Sequence, residues 1–475
     1  METKETEVLV IGAGPGGYPA AIRAAQMGMK VILVEKGFIG GECLNWGCIP
    51  SKALISAASF FHKISHDAPK MGITVEGAKL DFSILQEWKM GIQNKLIKGI
   101  KQLLKGNGVT TIKGTAHFET PGIVKVILED ESQICIKYKD AILATGSAFI
   151  SLPKFKIDEQ AILSAKGLLS LKEVPQELAI IGGGVIGIEL GTLFAKLGTS
   201  VSIIELLPEI LPGVDTPIKR LLGMKAKQLG ITIYTSTVAT DYTVKKNGKI
   251  NIKIKTKKGA QELSADKILL AIGKKAQTED LDLSVLNIQL DEKGYLIVNE
   301  KQQTSTSGVY AVGDCTGPPF LAHRATKQGI VAAEVIAGLP SESDFQTIPI
   351  AIFTEPEVSY AGLSETQAKQ AGFDVITGRA AFGTSARAMT HLAEDGYVKV
   401  IADKTTNQLL GVQIIGPDAS DLISEVALAL EMGATVEDLS LTVHPHPTLP
   451  EMIMEAADAA LNKAIHQVTL VKAKK

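Results

Sequence analysis

The sequence predicts an α/β protein with two Rossmann-like dinucleotide-binding domains and a C-terminal α+β domain. The chain has 475 residues, and at about 150 residues per domain this length suits roughly three domains. A strand, glycine turn, helix and strand pattern occurs twice, beginning near residues 7 and 177. From about residue 348 the pattern changes to alternating strands followed by helices, which is typical of a separate α+β domain.

Composition and charge exclude several classes of function. The formal net charge of −2 lacks the basic excess expected of a nucleic-acid-binding surface. The N-terminus shows neither a signal peptide nor a transit peptide. The apolar window 178–195 contains Glu189 and five glycines, so it predicts a buried strand, turn and helix instead of a membrane span. We therefore expect a cytoplasmic protein with no membrane or nucleic-acid partner, in a compartment that keeps thiols reduced.

The first repeated segment, EVLVIGAGPGG, has the glycine spacing of a dinucleotide-binding turn. Gly12, Gly14 and Gly17 form a GxGxxG sequence after an apolar strand, and Glu35 ends the next strand. The first glycine permits the tight turn, the second lets a pyrophosphate approach the backbone, and the third lets helix and strand pack closely. Phosphate charge then faces the positive N-terminus of the helix, and the terminal carboxylate can accept hydrogen bonds from ribose hydroxyls.

The second segment, ELAIIGGGVIGIE, repeats this pattern. Its glycines are Gly182, Gly184 and Gly187, and Glu205 follows the first of them by 23 residues, the same separation as in the first copy. A carboxylate at this position would repel a 2′-phosphate, so Glu205 favours NAD over NADP. A single GxGxxG is weak support, but two copies with correctly placed acidic residues predict that the chain binds two dinucleotides.

Strand endings of similar sequence indicate the domain boundaries. DAILATGS (140–147) and DKILLAIGK (266–274) each end a dinucleotide domain, and GVYAVGDC places Asp314 at a strand end, where α/β sheets bind ligands. The predicted division is a first dinucleotide domain at 1–149, a second at 150–275, a central segment returning to the first domain at 276–347, and a C-terminal domain at 348–475.

Two of the four cysteines, Cys43 and Cys48, lie in the segment GGECLNWGCIPSKAL. Where thiols are kept reduced, such a pair is more often redox-active or metal-binding than structural. No second Cys or His pair stands nearby to complete a metal site, so we expect no metal. Residues five apart on a regular helix rise about 7.5 Å, so this pair can bridge only if the chain bends. A helix that begins near Cys48 would lower the pKa of its thiol.

The C-terminal segment HPHPTLPEM places His446 between two prolines, five residues before Glu451. A carboxylate bonded to one imidazole nitrogen fixes the tautomer and raises the basicity of the other nitrogen. The pair is therefore a candidate general base, although a loop leading into a helix with an acidic first turn has the same spacing.

Together these motifs resemble the pyridine nucleotide–disulfide oxidoreductase family over essentially the whole chain. The resemblance rests on the two glycine motifs, GGxCLNxGCIPSK, ATGS, GVIGIE, GDC, LAHRA and HPTLxE, which occur in the family's order. It implies a FAD-binding domain, an NAD(P)-binding domain and a C-terminal dimerisation domain. It further implies that Cys43 and Cys48 form a redox-active disulfide, and that His446 and Glu451 act at the partner's active site in a homodimer.

The resemblance also implies a set of cofactor contacts. The residues implied for FAD are Gly12, Gly14, Gly17, Glu35, Lys36, Gly41, Glu42, Lys52, Ala116, Thr145, Gly146, Ser147, Asp314, Phe320, Leu321, Ala322 and His323. The residues implied for NAD are Gly182, Gly184, Val185, Ile186, Gly187, Glu189, Glu205, Val238 and Gly273. Among them, Lys52 and Glu189 resemble the family's buried pair beside the flavin ring.

Within the family, the sequence is most similar to members that oxidise protein-bound dihydrolipoamide to lipoamide and reduce NAD⁺ to NADH. The expected partner is then the lipoyl domain of an acyltransferase or carrier protein, in a 2-oxo acid dehydrogenase or glycine cleavage complex. Two alternatives stay open. One is an NADPH-dependent reductase of the glutathione reductase type, which Glu205 disfavours. The other is a mainly structural flavoprotein, which the intact Cys43, Cys48 and His446 disfavour.

Four positions depart from residues that are common in the family. Glu42 stands where Thr is common, Trp46 where Val is common, Lys274 where Arg is frequent, and Pro450 where Ser is common. None of these changes removes a chemical group that the implied reaction requires. We therefore expect them to bear on substrate selectivity.

Overall fold

Two glycine-turn segments and a C-terminal antiparallel sheet organise the computed structural model, which describes residues 2–468. The chain divides into two units. One is made of Met1–Ala57, Leu80–Glu173 and Leu269–Asp344. The other is made of Ala58–Lys79, Val174–Ile268 and Phe345–Lys475.

The strands and helices follow in chain order. The strands are β1 (Glu2–Ile11), β2 (Val31–Glu35), β3 (Thr110–Thr120), β4 (Ile123–Leu128), β5 (Gln133–Leu143), β6 (Ser147–Phe149), β7 (Ile162–Leu163), β8 (Glu177–Ile181), β9 (Ser200–Ile204), β10 (Thr232–Tyr234), β11 (Val238–Val244), β12 (Ile250–Thr256), β13 (Gly259–Ala265), β14 (Lys267–Leu270), β15 (Lys274–Ala276), β16 (Val309–Ala311), β17 (Ile350–Ile352), β18 (Glu357–Gly362), β19 (Val375–Ala381), β20 (Tyr397–Asp403) and β21 (Leu409–Gly416). The helices are α1 (Gly17–Gln26), α2 (Gly41–Asn45), α3 (Cys48–His66), α4 (Phe82–Gly106), α5 (Ala165–Leu169), α6 (Val185–Lys196), α7 (Thr216–Gln228), α8 (Ala322–Ile336), α9 (Glu365–Gln370), α10 (Ala386–Thr390), α11 (Ala419–Glu431), α12 (Val436–Leu441) and α13 (Glu451–Ala460).

The first unit is built on a parallel sheet. Strand β1 lies between β2 and β5 and is parallel to both, while β3 is parallel to β2 and β16 is parallel to β5. Strand β4 pairs in antiparallel orientation with the C-terminal part of β3 and the N-terminal part of β5. The strands are rich in Val, Ile and Leu because both faces of a parallel sheet are covered, and Leu9, Leu33 and Leu143 are fully buried. This sheet brings the ends of β1, β5 and β16 together.

The second unit repeats the parallel arrangement on a smaller scale. Strands β8, β9 and β10 are parallel neighbours, and α6 connects the first two. Helix α6 is buried along most of its length, including Ile188 and Phe194. This burial explains the membrane-like hydropathy of its sequence. Across residues 2–468, none of the helices combines the length and the apolar character that a membrane crossing requires.

The C-terminal part of the second unit is an antiparallel sheet in the order β17-β18-β21-β20-β19. Helices α11 and α13 pack on it through a core that includes Val412, Ile414 and Ile453. A Cβ on Gly378 would lie 2.0 Å from the carbonyl oxygen of Ala456, so this glycine lets α13 approach β19 closely. The predicted fold class, α/β with two glycine-turn domains and an α+β C-terminal part, is confirmed.

Candidate active site

The first glycine turn depends on glycine for steric reasons. Gly12 has φ +102°, and a Cβ there would lie 2.3 Å from the carbonyl oxygen of Ala144. A Cβ on Gly17 would lie 1.8 Å from the carbonyl oxygen of Gly12, so the start of α1 packs directly on the turn. By contrast, a Cβ on Gly14 would have only the Cα of Gly41 within reach, at 3.9 Å. This geometry matches the roles predicted for the three glycines: Gly12 permits the tight turn, Gly14 leaves the backbone open to a ligand, and Gly17 allows close packing.

The Glu35 carboxylate accepts hydrogen bonds from two backbone amides beside this turn. Its Oε2 accepts the Ala13 N–H at 2.6 Å and its Oε1 accepts the Gly37 N–H at 2.6 Å. The carboxylate therefore lies at the end of β2 next to the glycine turn, where the sequence predicts a ribose contact.

The second glycine turn has the same geometry in the other unit. Gly182 has φ +111°, and a Cβ on Gly187 would lie 2.1 Å from the carbonyl oxygen of Gly182. Glu205 is buried, and its two carboxylate oxygens accept the N–H groups of Gly183 at 2.6 Å and Leu207 at 2.7 Å. The repeat seen in the sequence is thus a repeat of structure, down to the two amides that bind each carboxylate.

The cysteine segment packs against the first glycine turn. Gly41 has φ +59°, and a Cβ there would lie 2.6 Å from the Cα of Gly14. Helix α2 contains Cys43 and ends at Asn45, and α3 begins at Cys48. The chain is therefore irregular between the two cysteines, as the sequence predicts, and Cys48 lies at a helix N-terminus.

Cys43 and Cys48 are free thiols joined by a side-chain hydrogen bond. The pKa of Cys48 is lowered to about 7, mainly because its sulfur accepts this hydrogen bond from Cys43. Burial opposes the lowering, and the charge of Lys52 contributes to it. The same hydrogen bond, with burial, raises the pKa of Cys43 well above its usual range. One sulfur of the pair is therefore disposed to become a thiolate near neutral pH while the other keeps its proton.

A cavity of about 420 Å³ in the first unit opens between the glycine turn and the cysteines. The predicted residues that line it are Gly12, Gly14, Glu35, Lys36, Gly41, Glu42, Cys43, Cys48, Ala116, Thr145, Gly146, Ser147, Asp314, Phe320 and Ala322. A Cβ on Gly146 would meet nothing within 4 Å, so this backbone, like that of Gly14, is open to the cavity. The cavity thus offers open glycine backbone together with an acidic residue at a strand end, which suits a dinucleotide.

Among the described residues, four that are predicted for the flavin site do not line the cavity: Gly17, Lys52, Leu321 and His323. Asp314, at the wall, accepts a hydrogen bond from the Ser147 hydroxyl at 2.6 Å. The sequence indicates both of these residues but not their contact.

Several lining residues are absent from the cofactor contacts that the sequence predicts. Trp46 lines the cavity, with its ring edge-on to Phe38 at 5.7 Å and the Lys166 ammonium 5.0 Å from its ring centroid. Lys274 also lines the cavity and pairs with Glu42. In the sequence, Trp46 and Lys274 stand out only as departures from common residues, and Lys166 belongs to no motif.

The residues predicted for NAD are distributed over both units. Gly184 caps α6, and Val185 and Ile186 begin it, with Val185 exposed. Val238 is exposed at the start of β11. Gly273, with φ +124°, belongs to the first unit.

The predicted pair of Lys52 and Glu189 is likewise divided between the units. Lys52 lies one turn after Cys48 in α3. Glu189 is buried in α6, where its Oε1 accepts the Phe353 N–H at 2.8 Å. Their pairing stays a prediction.

His446 and Glu451 form a contact in the C-terminal part. The His446 Nδ1 lies 2.8 Å from Glu451 Oε1, and Glu451 Oε2 accepts the Thr448 N–H at 2.7 Å. Burial opposes ionisation of Glu451, but these hydrogen bonds outweigh it and lower the pKa of the carboxyl. The His446 side chain is 73% exposed, so its Nε2 is accessible while Nδ1 is held. Pro450 has helical backbone angles and directly precedes α13, which begins at Glu451.

Residues 2–468 contain no group of three or more His, Cys, Asp or Glu side chains arranged to hold a metal ion.

The fold and these sites define the class of protein: the chain belongs to the pyridine nucleotide-disulphide oxidoreductase family. Residues 6–329 match this family, and residues 348–457 match its dimerisation domain.

Curated relatives cover nearly the whole chain. A dihydrolipoyl dehydrogenase of Haloferax volcanii is 44% identical over 465 residues, which is 97% of each chain. A dihydrolipoyl dehydrogenase of Geobacillus stearothermophilus is also 44% identical, over 98% of each chain. The crystal structure of LpdA from Mycobacterium tuberculosis superposes with a TM-score of 0.88 at 27% identity, over 95% of this chain and 99% of LpdA. The family is one of flavin- and pyridine-nucleotide-dependent oxidoreductases with a dimerisation domain.

Proposed function

We propose that this chain is a dihydrolipoyl dehydrogenase that oxidises protein-bound dihydrolipoamide to lipoamide and reduces NAD⁺ to NADH. The observation that carries the proposal is the Cys43–Cys48 pair at the cavity wall, in which one thiol has a lowered pKa and the other a raised one. The names of the full-length relatives agree with this activity.

The cysteine pair would accept electrons from the substrate by thiol–disulfide exchange. In the oxidised form of the pair, a dihydrolipoyl thiolate would attack the Cys43 sulfur of a Cys43–Cys48 disulfide, which forms a mixed disulfide and releases Cys48 as a thiolate. The second substrate sulfur then displaces Cys43 and closes the lipoyl disulfide, and Cys43 takes up a proton. The pKa difference fits these roles, because Cys48, at the N-terminus of α3 and near Lys52, is the better leaving group.

His446 would remove the proton from the attacking substrate thiol. With the Nδ1–H donated to Glu451, the lone pair is on Nε2, and the carboxylate stabilises the imidazolium that forms. Since the chain carries the family's dimerisation domain, we assign His446 to the cysteine pair of the partner chain in a homodimer.

The first unit would hold FAD and the second NAD. The FAD-binding residues would be those of the glycine turn, Glu35 and the cavity wall around Ser147 and Asp314. Bound FAD would supply the two-electron carrier between the cysteine pair and the nicotinamide. In the second unit, Glu205 supports NAD over NADP because a buried carboxylate repels a 2′-phosphate.

The physiological partner would be the lipoyl domain of an acyltransferase or carrier protein, since dihydrolipoyl groups are presented on such domains. The reaction would then take place in the cytoplasm, within a 2-oxo acid dehydrogenase or glycine cleavage complex.

The test is replacement of Cys48 with Ser in the purified flavoprotein. The variant should keep its flavin but lose NAD⁺-dependent oxidation of dihydrolipoamide by at least about 10³-fold, because no disulfide can form. Cys135→Ser is the matched control, since Cys135 is buried in β5 and has no assigned role. Undiminished turnover by the Cys48 variant would refute the proposal. Faster reduction of glutathione disulfide with NADPH by the wild type would assign the chain to the glutathione reductase type instead.

A further inference from the structure

Glu42 and Lys274, two of the positions at which this chain departs from common family residues, contact each other. Glu42 directly precedes Cys43 in the first turn of α2, and Lys274 begins β15. The Lys274 Nζ lies 2.5 Å from Glu42 Oε1, with side-chain exposures of 12% and 25%. Both side chains line the cavity that Cys43 and Cys48 line. A partly buried ion pair thus stands beside the cysteines.

Lys274 is fixed in place by contacts that do not involve Glu42. Strand β15 pairs with β6, with Lys274 opposite Phe149, and the ammonium lies 5.3 Å from the Phe149 ring centroid. The Lys274 carbonyl oxygen also accepts the Tyr295 hydroxyl at 3.0 Å. The positive charge therefore has a defined position toward which the Glu42 carboxylate is drawn.

The ion pair is electrostatically linked to Cys48. The pKa of Glu42 is raised overall, because burial outweighs the charge and hydrogen bond of Lys274, and the charge of Asp314 adds to the rise. The Glu42 charge in turn opposes ionisation of Cys48, while the Lys52 charge favours it. Two charges of opposite sign thus act on Cys48, and Lys274 pairs with the negative one.

We propose that Glu42 and Lys274 are a positioning pair for the redox reaction, in which Lys274 holds and compensates the Glu42 carboxylate beside the Cys43–Cys48 centre. The inference rests on the proposed function of the two cysteines and adds an electrostatic role for Glu42 and Lys274. Without Lys274, the buried Glu42 would lose the charge that favours its ionised form. Without Glu42, the charge of Lys52 would act on the Cys48 thiol unopposed.

The signs of the expected effects follow from charge. Glu42→Gln removes a negative charge, so Cys48 should form its thiolate at lower pH than in the wild type. Lys274→Met removes the charge that favours the ionised form of the buried Glu42, so Glu42 should take up a proton and the Cys48 profile should shift in the same direction. The double variant should match Glu42→Gln, because the same negative charge is lost in both. Lys274→Arg keeps the charge and should leave the profile unchanged.

The experiment measures the rate at which iodoacetamide alkylates Cys48 in the reduced holoprotein from about pH 5 to about pH 9, with Cys48 quantified by peptide mass spectrometry. Near pH 6, loss of the Glu42 charge should raise the thiolate fraction about threefold, so alkylation should be about threefold faster in both Glu42→Gln and Lys274→Met than in the wild type. The matched control is Lys275→Gln, which breaks the exposed ion pair of the next residue with Glu279 and should not move the profile. Glu42→Thr replaces Glu42→Gln if that variant does not fold.

Shifts to lower pH in both single variants that do not add in the double variant support the positioning pair. Profiles that superimpose on the wild type, or that shift in opposite directions for the two single variants, would overturn it. Failure of the positioning pair can be told apart from failure of the proposed function. The alkylation profile tests the positioning pair, whereas turnover of dihydrolipoamide by Cys48→Ser tests the proposed function.

Discussion

At the scale of single residues, His446 depends on Glu451 for its orientation. The carboxylate accepts the imidazole Nδ1–H at 2.8 Å and is itself held by the Thr448 amide. The imidazole is otherwise exposed, so this contact defines which nitrogen carries the lone pair. The neighbouring His444 has a similar contact, from Nε2 to Glu425 Oε1 at 2.9 Å, but its ring is almost fully buried.

Replacing Glu451 with Gln should lower kcat for dihydrolipoamide oxidation by about 10- to 100-fold, because a neutral amide stabilises the imidazolium less. Glu425→Gln is the matched control and should leave kcat unchanged. A Glu451 variant with wild-type kcat would show that His446 does not need this carboxylate.

At the scale of elements, the contact of α2 with the first glycine turn aligns the cysteines with the cavity. Gly41 combines a left-handed backbone with an approach to the Gly14 Cα that leaves no room for a Cβ. Gly28, which follows α1, has φ +85°, but a Cβ added there would meet no atom within 4 Å. Gly28 therefore has the same backbone preference without the packing constraint.

Gly41→Ala should therefore destabilise the protein more than Gly28→Ala. We expect a loss of about 1 kcal/mol in the free energy of unfolding for Gly28→Ala, from backbone strain alone, and at least about 3 kcal/mol for Gly41→Ala. Urea unfolding followed by circular dichroism measures both. Equal losses would mean that the packing of α2 on the glycine turn is not constrained as the structure indicates.

The sequence predicts these elements well because their signals are local. Glycine spacing, the acidic residue at a strand end and the break between Cys43 and Cys48 are each set within a few dozen residues. The contact of Glu42 with Lys274 joins residues 232 positions apart, and no local pattern indicates it. The approach of Lys166 to Trp46 is not predictable from the sequence for the same reason.

At the scale of the whole molecule, the candidate catalytic residues of each chain belong to two different units. Cys43 and Cys48 belong to one unit, and His446 and Glu451 belong to the other. The latter two lie within the part that matches the family's dimerisation domain. In the proposed homodimer, each active site combines the cysteines of one chain with His446 of the other, so an isolated chain would be inactive.

Hybrid dimers test this shared site most directly. Cys48→Ser and His446→Gln homodimers should each be nearly inactive, but a hybrid of the two has one complete site, made of intact cysteines from one chain and an intact histidine from the other. Random reassembly gives hybrids in half of the dimers, so the mixture should recover about a quarter of the wild-type rate of NAD⁺-dependent dihydrolipoamide oxidation. A mixture of Cys48→Ser with Cys43→Ser is the control and should recover nothing. If the first mixture also shows no more activity than its parents, His446 does not act on the cysteines of a partner chain, and the proposed active site is wrong.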